Sequence, residues 1–127
     1  MKVIPIAVMA LALGVAPEAH HSFAVFFDEA KNITITGTVT EFRFTNPHAL
    51  ITLAVKQDGR EETWKGETNA QTLLRRRGWT STSLKAGDVV TMDGWPSRDG
   101  KSYMRVRRVT LADGTVLGGP AAAGEQR

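Results

Sequence analysis

Cysteine is absent from all 127 residues, which excludes disulfides, thiolate metal sites and cysteine nucleophiles together. Histidine is scarce, with three copies, and the aromatics are five Phe, three Trp and one Tyr. Neither sign of charge dominates: sixteen Lys and Arg against thirteen Asp and Glu leave a net charge of +3. That excess is too small to argue for nucleic acid as a partner. The familiar enzyme signatures are missing as well. There is no Gly-x-Ser-x-Gly elbow, P-loop, dinucleotide fingerprint or His-Glu-x-x-His helix. Ser22 beside His21, and Glu61 beside Glu62, are chain neighbours that point apart on extended backbone. No enzymatic activity is expected. The length suits one domain with a modest core.

Long hydrophobic runs are also lacking, save one. Lys2 precedes an apolar stretch over residues 3–13, followed by small residues. This is the pattern of a secretory signal peptide, too short for a membrane span. The expected organisation is a signal peptide at 1–19, a lead-in at 20–32, a barrel at 33–117 and a disordered tail at 118–127. Cleavage after Ala16 would leave Pro17 first, which signal peptidases disfavour; cleavage after Ala19 would leave His20 first. The mature protein is expected in the periplasm or outside the cell, soluble, without a membrane span, and monomeric.

The barrel is organised around residues 33–55, ITITGTVTEFRFTNPHALITLAV. Ile33, Ile35, Gly37 and Val39 alternate with threonines, a period of two that marks a half-buried strand. The apolar phase then switches to Phe42 and Phe44, which predicts a bulge near Thr40 and Glu41. A second strand follows the Asn46-Pro47-His48 turn, and Asp58-Gly59 marks a hairpin into a third that carries Trp64. Residues 70–77 have helical spacing, with Thr68 and Asn69 as N-cap candidates. Leu73 and Leu74 are expected to plug the barrel, Gly78 to end the helix, and Trp79 to fold back over it. Arg75, Arg76 and Arg77 need no further role than to complement the helix dipole. Strands over residues 89–95 and 103–111 complete the order β-β-β-α-β-β. The predicted fold is therefore all-β with one short helix, a five-stranded OB-like Greek-key barrel.

All three histidines fall in two compact motifs, Ala19-His20-His21-Ser22-Phe23 and Thr45-Asn46-Pro47-His48-Ala49. With "TGTV", "LLRRRGWT", "LKAGD" and "VTLADG", they give the chain a resemblance to a family of small exported bacterial proteins of unknown function. More loosely, the chain resembles the small periplasmic bacterial OB-fold proteins. The first resemblance covers most of the mature chain and implies compartment and fold rather than an activity.

Imidazole suits copper, zinc, nickel and iron, and no thiolate competes. His20, His21 and His48 are thus candidate metal ligands. A mature chain beginning at His20 could chelate copper with its amine and ring, and one beginning at Ala19 would place His21 third; both arrangements favour copper. A three-histidine site demands that residues 20–32 turn back along the barrel, because the first strand carries His48 roughly 30 Å from its own start. Phe23, Phe26 and Phe27 are the expected anchors of that return. The alternative function is an OB-face module that binds a glycan, another small ligand or a partner protein without metal. Its candidate residues are Trp64, Arg43, Tyr103 and Arg105.

Overall fold

The computed structural model describes residues 21–118. The expected signal peptide, His20 and all but the first residue of the expected tail lie outside the described residues. The elements in chain order are α1 (His21–Phe26), β1 (Ile33–Arg43), β2 (Leu50–Gln57), β3 (Arg60–Glu67), α2 (Gln71–Arg76), β4 (Val89–Pro96), β5 (Tyr103–Leu111) and β6 (Val116–Leu117). Strand β1 pairs antiparallel with both β2 and β4, β2 pairs with β3, and β4 pairs with β5. A parallel β3–β5 pairing closes the ring. The result is a mixed five-stranded OB-like barrel, to which β6 adds a short ribbon on β5.

The long first strand serves two neighbours because it bends. Val39 opposes Leu53 and Glu41 opposes Thr52, so Thr40 is the extra residue of a bulge. This resets the apolar phase: Val39 is fully buried and Phe42 packs against the same core. Asp58 and Gly59 both take positive φ, 51° and 74°, as a tight hairpin between β2 and β3 requires. Closure depends on two glycines. A Cβ on Gly94 would collide with the Arg105 carbonyl, and one on Gly66 with the core side chains of Met92 and Val106.

Helix α2 plugs the barrel with one leucine. Leu74 is 1 % exposed, whereas Leu73 is half-buried, so the expected pair reduces to Leu74. The helix ends as expected: Gly78 at φ 86° donates to the Arg75 carbonyl, and the Trp79 N–H donates to the Leu74 carbonyl at 3.0 Å. This is the Schellman arrangement, with Trp79 buried as its apolar contact.

The N-terminal cap differs from expectation. Ala70 occupies the cap position and offers no acceptor. Asn46 supplies one instead, its Oδ1 accepting the Gln71 N–H at 3.0 Å. Thr68 and Asn69 are engaged elsewhere. Thr68 Oγ1 donates to the Ala49 carbonyl at 3.0 Å, and Asn69 Oδ1 accepts from Arg105.

Truncating the plug tests this arrangement. Leu74→Ala is expected to lower unfolding free energy by about 2–5 kcal/mol, the usual range for an emptied leucine site. Leu73→Ala should cost well under half as much. Urea denaturation of both variants is the measurement, and equal losses would remove Leu74 from its special position.

Candidate functional site

Four distant pieces of the chain meet on the outer wall of the barrel. They are α1, the β1–β2 link, the outward face of β3 and the β4–β5 turn. Helix α1 has no acidic residue in its first turn and no basic one in its last. A six-residue helix is not stable alone, so its contacts hold it. At its far end, the Arg98 N–H donates to the Phe26 carbonyl at 2.9 Å and Arg98 Nε to the Ala24 carbonyl at 2.8 Å. Phe27 is 2 % exposed and stacks on Tyr103, with ring centroids 5.6 Å apart.

The near end rests on Arg105. Its guanidinium lies 4.2 Å from the centre of the Phe23 ring. It donates to the carbonyls of Glu67 and Thr68 and to Asn69 Oδ1. Burial lowers its pKa to about 10, against the opposing pull of Glu67, so it is charged at neutral pH. No carboxylate lies within ion-pair distance of it among the described residues. Peptide carbonyls, one amide and one aromatic face replace its water.

Beside Arg105 stands a polar chain of three. Tyr103 OH donates to Glu67 Oε2 at 2.6 Å, and Glu67 Oε1 lies 2.6 Å from His48 Nδ1. A carboxylate only accepts, so His48 Nδ1 is the donor in this contact and Nε2 is the ring nitrogen left over. Nε2 has no protein partner among the described residues. Burial first, then the bond to Glu67, raises the Tyr103 pKa above the ordinary phenol range. Tyr103 is therefore a fixed donor. The Phe23 ring closes the group, 5.4 Å from the His48 ring.

Between this cluster and the β4–β5 turn lies a cleft of about 800 Å³. Phe23, Phe26, Phe27 and Tyr103 supply its apolar lining, and His48, Lys65, Glu67, Ser97, Asp99 and Lys101 supply polar groups. The Ser97 hydroxyl, then the Lys101 N–H, hold Asp99 below the ordinary carboxylate range.

The candidates named from sequence divide sharply. His48 lines the cleft; His21 opens α1; His20 lies outside the described residues. Among the described residues, no three His, Asp or Glu side chains converge on one metal-sized point. The proposed binding face of Trp64 and Arg105 is not one surface. Trp64 pairs with Leu53 and packs on the core, whereas Arg105 alternates with buried Met104 and Val106 and points outward. Arg43 is exposed, 4.0 Å from Glu41, and does not line the cleft. Only Tyr103 of that set does. Phe26, expected to anchor the lead-in, is 64 % exposed and lines the cleft instead of being buried against the wall. Glu67 was not among the candidates. Strand alternation puts it on the outer face with Lys65, but nothing in the spacing ties it to a histidine nineteen positions earlier.

Residues 8–105 match a family described as a family of unknown function, DUF6152. No curated protein matches the chain.

Arg105→Met tests the support of the cleft. It leaves the Glu67 and Thr68 carbonyls without their donor, at about 1–3 kcal/mol for each group stranded in the interior. Phe23→Leu, which keeps apolar bulk and loses only the cation–π contact, should cost about 0.5–1 kcal/mol. Hydrogen exchange at Phe27 and Arg98 should accelerate in the first variant far more than in the second. A neutral Arg105→Met would show that α1 is held without the guanidinium.

Proposed function

We propose that this chain, which belongs to that family of unknown function, is an exported binding module that holds a copper-type metal ion where its two histidine motifs meet. One observation carries the proposal: Phe23 of the first motif packs on His48 of the second, with centroids 5.4 Å apart. The lead-in thus returns to His48, as a shared site demands. Glu67 supports the same reading. A carboxylate on one ring nitrogen fixes the imidazole for metal binding through the other, the usual outer-shell arrangement of histidine ligands. His48 Nε2 is then one ligand, and His20 or His21 with the mature amino terminus supplies the rest. Imidazole and amine nitrogens without thiolate favour Cu(II) over harder ions. The role is binding rather than catalysis, since the sequence carries none of the common nucleophile or cofactor signatures.

Mass spectrometry of protein exported from its natural signal fixes the amino terminus and reveals any retained metal. Calorimetry with Cu(II) on that protein should show sub-micromolar affinity, weakening at acid pH as protons compete for the imidazoles. Glu67→Gln should weaken binding by about 10–100-fold, and His48→Ala by more. Unchanged affinity in His48→Ala would mean that the amino terminus alone holds the ion, and the shared site would be wrong.

A further inference from the structure

The cleft is larger than any single ion needs, and its lining combines aromatic rings with charged side chains. We infer that it binds a small amphipathic anion, an apolar chain or ring system carrying one carboxylate-like head. This goes beyond the metal proposal and does not depend on it.

Preformation comes first. Helix α1 is tied at one end to Arg105 through Phe23 and at the other to Arg98 through two backbone carbonyls. The space beneath is therefore held open by contacts present without a ligand. About 800 Å³ lies within the range of pockets that enclose drug-sized molecules.

The apolar side still has area to cover. Phe26 lines the cleft yet is 64 % exposed, so a ligand chain lying against it removes apolar surface from water. Phe27 and Tyr103 stack on each other and Phe27 is buried, so the open apolar area of the cleft lies chiefly on Phe26.

Charge decides the head group. Both Glu67 oxygens are engaged, one by His48 and one by Tyr103. Asp99 pairs with Lys101 at 3.4 Å. Lys65 lines the same cleft with no carboxylate within 4.0 Å among the described residues. Its backbone N–H donates to the Ser102 carbonyl at 3.1 Å, which sets it beside the turn bearing Lys101. Lys65 is thus the charged side chain of the lining not already bonded to another, and an anionic head group finds its free donor there.

The test uses metal-stripped mature protein, so its outcome is separate from that of the copper titration. Calorimetry compares dodecanoate, dodecyltrimethylammonium and dodecyl maltoside, all below their micelle concentrations, with phosphatidylglycerol vesicles as a fourth arm. Dodecanoate is expected to bind most tightly. Lys65→Ala should weaken it by about 2–5-fold, the value of one exposed charge contact, and leave the maltoside unchanged. Phe26→Ser should weaken both by roughly 10-fold, from lost apolar contact. Unchanged urea midpoints and circular dichroism show that both variants are folded. Equal affinity for the ammonium detergent, no binding of any detergent, or an unchanged Lys65→Ala would each overturn the inference. Binding to vesicles alone would overturn it too, since the partner would then be a membrane surface.

Discussion

A guanidinium buried in the wall of a barrel must find donors' partners for all its faces, and the path of the chain around Arg105 answers that requirement. Removing its water favours the uncharged form, which is why its pKa falls to about 10. The charge persists at neutral pH because three acceptors converge on it: the carbonyls of Glu67 and Thr68 and the side chain of Asn69. All three lie where β3 hands over to α2. Strand β5 is thus bonded to that junction beyond the ladder that closes the barrel. A lysine could not replace it, because a single ammonium has no planar fork to span several acceptors.

The open face of the guanidinium takes the Phe23 ring, and through it α1 gains its place. From that contact the rest of the site follows. Phe23 seats His48, and Phe27 stacks on Tyr103, whose hydroxyl holds Glu67. Glu67 in turn fixes the His48 ring. The metal proposal uses the end of this chain where the histidine motifs approach each other. The amphiphile proposal uses the length of the cleft toward Lys65 and Lys101. They share a roof but rest on different atoms, so either stands without the other.

Much of the barrel was legible in the residues. Period-two alternation gave the strands, the slip from Val39 to Phe42 gave the bulge at Thr40, and Asp58-Gly59 gave its hairpin. Gly78 and Trp79 gave the end of α2. Each of these is a local rule, in which a few neighbouring residues contain both the cause and the effect. The cap of α2 was not legible, since Asn46 reaches Gln71 from across the fold. Helix α1 was missed because six residues are too few for a helical period to register in the sequence.

The sequence by itself determined the class of fold, because hydrophobic period, turn chemistry and the place of one short helix leave few ways to close five strands. It also nominated His48 as chemically notable. Only the tertiary structure decided what His48 is next to. Its partner Glu67 and the ring of Phe23 come from other elements, and no spacing rule joins them. The structure likewise separated Trp64 from Arg105. Which side of a closed wall a residue faces is set by register and bulges summed around the ring, and a site on that wall exists only once the ring has closed.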